Sequence, residues 1–366
     1  MCNKPKPVST ELHQRKLLCL FKTESSFKCL HLSNSVYPEN NTYDSVKCVK
    51  GFTLNISITR KLMVFGYLMP PLQKSLTDCP VSACNFIEDR RDWRQADLLL
   101  ITDGLHPVIQ RPHNQAWVAF NYEPPYKFPG KSFHNDMINF TATYRSDATI
   151  QTVYGYYVPK NSQDNSNTRY QLPEKNYAKN KSKLIAWLVS NCFSDSPRML
   201  YAKLLSRYIK VDMYGACGGS SCSDCLNMFS KHYKFYLSFE NTMCKDYVTE
   251  KFFHNALLNN MLPIVMGASI EEYERIAPPY SFIHVDQFKS PYELAQYLNY
   301  LDKNDTAYNE YFAWHGHGDV YVWKSRPQCD FCLLAHSLQY IKPTWYTNYE
   351  SWLSDSCLNR QPKWKP

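Results

Sequence analysis

Residues Tyr233–Gly267 read YKFYLSFENTMCKDYVTEKFFHNALLNNMLPIVMG. The stretch opens with an apolar run, Phe235–Phe239, and closes with another, Leu262–Met266. Short continuous apolar runs suit strands buried on both faces of a parallel sheet. Between them, Val248, Phe252, Phe253, Ala256 and Leu257 recur at helical spacing. They predict a helix over about Asp246–Asn259, with Asp246 as its N-cap. Strand, helix and strand in succession imply parallel neighbours, and ligands bind at the carboxyl ends of such strands. Glu240 and Asn241 stand where the first strand ends, and Glu250 and Lys251 fall in the first turn of the helix. A helix start and a lysine attract phosphate, and a carboxylate accepts hydrogen bonds from ribose, so the segment reads as a cradle for a nucleoside diphosphate. Ordinary capping with solvated charges is the other reading of the same residues.

The alternation continues outward. Upstream, Leu184–Ser190 reads as a buried strand and Lys210–Tyr214 as another. Between them Ser196-Pro197 reads as N-cap and first residue of a helix with the apolar face Leu200, Leu204, Leu205 and Tyr208. Arg198, at the start of that helix, is placed to bind a diphosphate bidentately, or else is simply exposed. Downstream come a strand at Phe282–Val285 and helices near Pro291–Leu301 and Asp305–Trp314. An earlier α/β section has strand candidates at Leu62–Leu68, Cys84–Ile87, Ala96–Thr102 and Gln115–Asn121. The last ends at Glu123-Pro124-Pro125, where proline stops a strand. Glu123 is then either a surface carboxylate or, beside a cleft, a base for an attacking hydroxyl.

The predicted fold is α/β, with two Rossmann-like domains facing a cleft. Residues 61–160 form the first domain, 161–183 a polar linker and 184–325 the second. Residues 1–60 are expected to be an irregular stem or cover, and 326–366 a cysteine-containing tail.

The 366 residues carry a formal charge of +8, which suits an anionic ligand, but the basic residues are dispersed and disfavour nucleic-acid binding. Fourteen cysteines, with sequons at Asn40, Asn55, Asn139, Asn180 and Asn304, indicate an oxidising secretory compartment. No apolar run is long enough to span a membrane, so an anchor is expected to be missing from this chain or removed. Two Cys-x-x-Cys units, Cys222/Cys225 and Cys329/Cys332, lie too far apart for a compact zinc ribbon and read as disulfide cysteines or, less readily, zinc ligands. No Asp-x-Asp pair occurs to hold a divalent cation at a diphosphate, so no metal is expected to be essential.

FYLSFEN, DYVTEKFF, LPIVMG, the tyrosine of EEYERIAPP, SFIHVDQF and SPYELAQYL, in that order, resemble the α1,3-fucosyltransferases of glycosyltransferase family 10. FNYEPP, INFTATYRSDATIQTVYGYYVP, LIAWLVSNC and SPRMLYAKLL extend the resemblance upstream, so that it covers roughly residues 110–335. It implies a GT-B fold, a GDP-fucose donor, an N-glycan or glycoprotein acceptor and inversion at the fucose anomeric carbon. On matching positions it implies Glu123 as general base, Arg198 and Lys251 on the diphosphate, and Glu240, Asn241, Tyr247 and Glu250 around nucleotide and fucose. Tyr144 and Arg145 match a segment near the cleft, and Cys329/Cys332 a pair that is oxidised in the family. A metal such as Mn2+ is implied to be at most stimulatory. YGACGGSSCSDCLNM and PIVMGASIEEYE look most like the invertebrate enzymes that fucosylate the innermost, Asn-linked GlcNAc. Lewis-type enzymes acting on antennary GlcNAc are the alternative, and a non-catalytic glycan- or nucleotide-sugar-binding protein is another. Family members are type II membrane proteins of the Golgi lumen.

Overall fold

The computed structural model describes residues 17–23, 26–31, 58–65, 72, 74–77, 79–102, 111–125, 136–160, 171–322, 326–339, 341, 345–357 and 364. Within the segment expected to be irregular, β1 (Leu17–Thr23) and β2 (Ser26–His31) pair as an antiparallel hairpin.

The first sheet comprises β3 (Arg60–Phe65), β4 (Cys84–Phe86), β5 (Leu98–Ile101), β6 (Ala116–Phe120), β7 (Phe140–Thr143) and β8 (Ile150–Gln151). Its order is β4-β3-β5-β6-β7-β8, and every pairing is parallel. β5, β6 and β7 are buried along their whole length, as strands covered on both faces must be. β7 and β8 carry no unbroken apolar run to mark them as strands. In FTAT the buried threonines mimic a polar face, and Thr141 Oγ1 instead meets Tyr346 Oη at 3.0 Å inside the domain. β9 (Gly155–Pro159) follows and leaves the sheet.

The second sheet takes the order β11-β10-β12-β13-β14, again parallel throughout. Its strands are β10 (Lys183–Leu188), β11 (Val211–Tyr214), β12 (Tyr233–Phe239), β13 (Leu262–Met266) and β14 (Ile283–His284). Helices α1 (Arg198–Leu205), α2 (Cys225–His232), α3 (Ile270–Ile276), α4 (Pro291–Lys303) and α5 (Asp305–Asn309) accompany them. Two local expectations change. The cap of α1 is Pro197 rather than Ser196, and its buried face is Tyr201, Ala202, Leu204 and Leu205, whereas Leu200 and Tyr208 are half exposed. The reason is Tyr201, whose ring packs edge-on against Phe239 and Trp364 and turns that side of the helix inward. After β12 the helix starts late. Lys251–Ala256 winds as a π-helix, and Leu257–Asn259 tightens to a 3-10 turn. Asp246 does not cap it, because its backbone is left-handed (φ 62) and its carboxylate is engaged elsewhere.

β15 (Gly318–Val322), at the end of the segment expected to form the second domain, pairs antiparallel with β9. The segment expected to be a tail, 326–366, packs on the first sheet. α6 (Pro327–Ser337) is buried throughout, and Phe331, Leu333 and Leu334 pack with Leu98, Leu100, Val118 and Phe120 on one face of the first sheet. α7 (Tyr349–Ser354) places Tyr349 and Leu353 with Leu99, Trp117 and Ala119 on the other. Cys329 and Cys332 are oxidised, but not to each other. They bond Cys79 and Cys84, because both point from α6 at the edge of the first sheet. The Cys79–Cys329 bond spans 250 residues, and closing such a loop removes on the order of 5 kcal/mol of unfolded-chain entropy. Cys192–Cys217, Cys222–Cys225 and Cys244–Cys357 are also bonded. Among the described residues no helix is long and apolar enough to cross a membrane.

Phe331, fully buried with its ring centroid 5.0 Å from that of Phe120, is the side chain on which α6 depends. Phe331→Ala is expected to destabilise the fold by about 3–5 kcal/mol, read from denaturant unfolding with the disulfides intact.

Candidate active site

Glu240 directly follows β12 and is wholly buried. Its Oε1 accepts from the Thr249 amide at 2.8 Å and the Thr249 hydroxyl at 2.9 Å, and its Oε2 accepts from Lys251 Nζ at 3.0 Å. Lys251 Nζ also donates to Thr249 Oγ1 at 2.8 Å and to Glu250 Oε1 at 3.1 Å. Burial alone would push the Lys251 ammonium down. Glu240 and then Glu250 outweigh it and hold the group above the usual lysine value, so it stays charged. Side-chain exposure divides the roles: none for Glu240, 19% for Lys251 and 33% for Glu250. Glu240 therefore does not line the site as expected. It is a buried counter-charge that aims Lys251, while Lys251 and Glu250 meet solvent.

Gly267, the residue after β13, makes this arrangement fit. Its φ is +153, and a Cβ there would lie 2.9 Å from Glu240 Cγ. A glycine directly after a buried strand is the sequence signal for it, whereas Thr249 in the TEK triplet carries no comparable signal.

A second network crosses between the domains. Tyr247 is buried and donates from its hydroxyl to Glu123 Oε2 at 3.2 Å. Its ring stands edge-on between Tyr144, 4.9 Å away, and Tyr154, 6.3 Å away. Tyr154 in turn donates to the Tyr122 carbonyl at 3.2 Å, beside Glu123. Burial first, then the negative charges of Glu123, Glu240 and Glu250, raise the Tyr154 and Tyr247 hydroxyls well above the usual tyrosine value. Both phenols thus stay protonated as donors. Glu123, at the carboxyl end of β6, is half-buried, so it is oriented by Tyr247 yet open to the cleft.

The other expected residues divide. Arg198 is 2% exposed, against the reading of a surface arginine. Its guanidinium donates to the Asn191 carbonyl at 2.7 Å and the Phe239 carbonyl at 3.1 Å, pinning the ends of two strands. The Asn241 carbonyl accepts from the Ser196 amide at 3.1 Å and closes the same loop. Tyr144 supports Tyr247, but Arg145 points away from the cleft. It pairs with Asp147 at 2.7 Å, bonds the Trp352 carbonyl and lies 3.8 Å over the Trp352 ring, because α7 packs there.

Of the sequons, Asn40 and Asn55 lie outside the described residues. Asn139 is buried, with Oδ1 accepting from Arg111 and the Trp117 amide, so it has no room for a glycan. Asn304 caps α5, whereas Asn180 is exposed. Among the described residues, the one cluster of three metal-ligand side chains is Cys84, Cys332 and His336, and its two sulfurs are joined in a disulfide.

Residues 59–155 match the family model described as fucosyltransferase, N-terminal, and residues 178–352 the model described as glycosyltransferase family 10 (fucosyltransferase) C-term. The chain belongs to glycosyltransferase family 10. It is 45% identical over 289 residues to glycoprotein 3-alpha-L-fucosyltransferase A of Drosophila melanogaster, covering 75% of this chain and 55% of that protein. It is 34% identical over 277 residues to an alpha-(1,3)-fucosyltransferase of Caenorhabditis elegans, covering 75% of this chain and 63% of that one. The chain thus spans less than two thirds of these curated relatives. A solved alpha1,3-fucosyltransferase with GDP-fucose superposes with a TM-score of 0.54 at 18% identity, over 79% of this chain and 93% of that chain, and so shares the GT-B fold of two facing parallel sheets. In this family 10 chain, Glu123 lies in the segment matched by the N-terminal model, and Arg198 to Lys251 in the segment matched by the C-terminal one.

The two buried supports of Lys251 differ in their expected cost. Glu240→Ala leaves the ammonium with Glu250 and solvent, so destabilisation should fall at the low end of about 3–5 kcal/mol. Gly267→Ala forces Glu240 aside and should cost about 1–3 kcal/mol. Chemical denaturation measures both.

Proposed function

We propose that this chain is an inverting α1,3-fucosyltransferase that moves L-fucose from GDP-fucose to the innermost Asn-linked GlcNAc of N-glycans. The observation that carries the reading is the bond from Tyr247 to Glu123. It orients a carboxylate of one domain beside the loop of the other that carries Glu250 and Lys251.

The reaction is a single displacement. Glu123 takes the proton from the GlcNAc 3-hydroxyl, and that oxygen attacks the fucose anomeric carbon from the face opposite GDP. The bond from that carbon to the diphosphate breaks, and GDP leaves. Lys251, held charged by Glu240, and the helix start at Glu250 receive the growing negative charge, while Glu250 accepts from ribose hydroxyls. Arg198 adds its charge at the strand ends, beneath the Asn191 loop. These cations take the part that a divalent ion plays elsewhere, so a metal such as Mn2+ is at most stimulatory.

The name of the fly relative, a glycoprotein 3-alpha-L-fucosyltransferase, favours the core acceptor over an antennary one. The disulfides and the exposed Asn180 support a lumenal, Golgi setting.

The test is incubation with GDP-fucose and a glycopeptide carrying a trimmed N-glycan, read by fragmentation mass spectrometry with linkage analysis. A 3-linked deoxyhexose on the Asn-linked GlcNAc is expected. Transfer only to N-acetyllactosamine would make the enzyme Lewis-type, and GDP binding without transfer would make it non-catalytic. Glu123→Gln should lower kcat at least a hundredfold, within the range of general-base catalysis, and leave the GDP-fucose binding isotherm in place. Lys251→Ala should weaken GDP binding by about tenfold or more, measured by calorimetry.

A further inference from the structure

We propose that Asp246 is a positioning residue: it clasps the two domains together and so holds Tyr247 against Glu123. The proposal rests on the reading of Glu123 as the base.

Asp246 has the left-handed backbone φ of 62, which among non-glycine residues aspartate and asparagine adopt most readily. Such a conformation persists where the surroundings over-determine it, and here they do. One carboxylate takes hydrogen bonds from both domains. Oδ2 accepts from the Ser146 amide at 2.9 Å and the Ser146 hydroxyl at 2.7 Å, and Oδ1 accepts from Arg275 Nη2 at 2.6 Å. Ser146 lies in the loop between β7 and β8 of the first sheet, and Arg275 lies on α3 of the second domain. The Asp246 side chain is 7% exposed, whereas its partner Arg275 is 46% exposed, so the carboxylate is held inside by charge-assisted bonds although the arginine end of the ion pair meets solvent.

The residues before it add to the hold. Lys245 Nζ lies 3.6 Å from Asp147, its amide donates to the Ser356 carbonyl at 2.9 Å, and Cys244 is bonded to Cys357. The elbow at 244–246 is therefore fastened to the first domain and to the segment after α7. The next residue is Tyr247. The turn at Asp246 sends its ring between Tyr144 and Tyr154 and its hydroxyl onto Glu123. Asp246 faces protein on all these contacts, so its influence on turnover passes through Tyr247. The Glu240–Thr249–Lys251 network beyond it is anchored independently, on the end of β12.

Three variants separate the side chain from the backbone. D246G keeps the left-handed turn and removes the carboxylate. It is expected to lower kcat by on the order of ten- to a hundredfold, as small misplacements of a catalytic group do, while the KM for GDP-fucose stays within about twofold. D246N keeps an acceptor oxygen and should retain most of kcat. D246G combined with Y247F should be no slower than Y247F alone, because both act through one bond. The clasp is also read without turnover: hydrogen exchange at the Ser146 amide should be faster in D246G by about tenfold or more. Unchanged kcat in D246G, loss that adds to Y247F, a loss confined to donor KM, or unchanged Ser146 exchange would each overturn the proposal. If the wild-type chain transfers no fucose, the fucosyltransferase reading fails, and Ser146 exchange alone decides whether the clasp exists.

Discussion

The packing of α6 against the first sheet is the constraint from which the rest of the architecture follows. A helix from late in the chain supplies Phe331, Leu333 and Leu334 to a core otherwise built from Leu98, Leu100, Val118 and Phe120. Without it one face of a parallel sheet would stand open to water, and parallel sheets need both faces covered. Because α6 must reach back across the molecule, the chain passes between the domains twice. β9 leads out of the first sheet, β15 leads back toward it, and the two pair antiparallel. The ends of both sheets are thereby held facing one cleft. Cys79–Cys329 and Cys84–Cys332 make the return covalent.

On that frame the cleft follows one design in both domains. A group that meets solvent is backed by a buried group that fixes it. Lys251 is backed by Glu240, and Glu123 by Tyr247. The support is polar in each case, so its burial is tolerated only because its hydrogen bonds are made. Glu240 accepts from an amide, a hydroxyl and an ammonium, and Gly267 gives it room to lie flat against β13. This separation of contact from support is what preorganisation requires: the charged atoms are in place before any ligand arrives.

Much of this was legible in the residues. Leu98–Ile101 and Leu262–Met266 declare buried parallel strands through unbroken apolar runs, and both are such strands. Glu123, Glu250 and Lys251 stand where strand ends and a helix start meet, which is where α/β sheets bind ligands. The residues that were misread share a cause. Asp246 resembles an N-cap by type and position, yet its bonds go to Ser146, a hundred residues away in the chain, and to Arg275. Arg145 has the charge of a cleft residue, yet Trp352 draws it the other way. Cys329 and Cys332 have the spacing of a local pair, yet each faces a cysteine on the opposite side of the chain.

The sequence by itself determined the two α/β sections and the strand ends on which the charged groups sit. Periodicity and residue type are local properties, and burial patterns repeat them directly. Only the tertiary structure decided which of the charged groups face the cleft and which lie beneath it. Exposure of Lys251 and burial of Glu240 depend on how β12, β13 and the Thr249 turn stack. The orientation of Glu123 depends on a tyrosine from the other domain, delivered by a turn that Ser146 and Arg275 hold in place. Such contacts between distant residues are set by packing and leave no period in the chain.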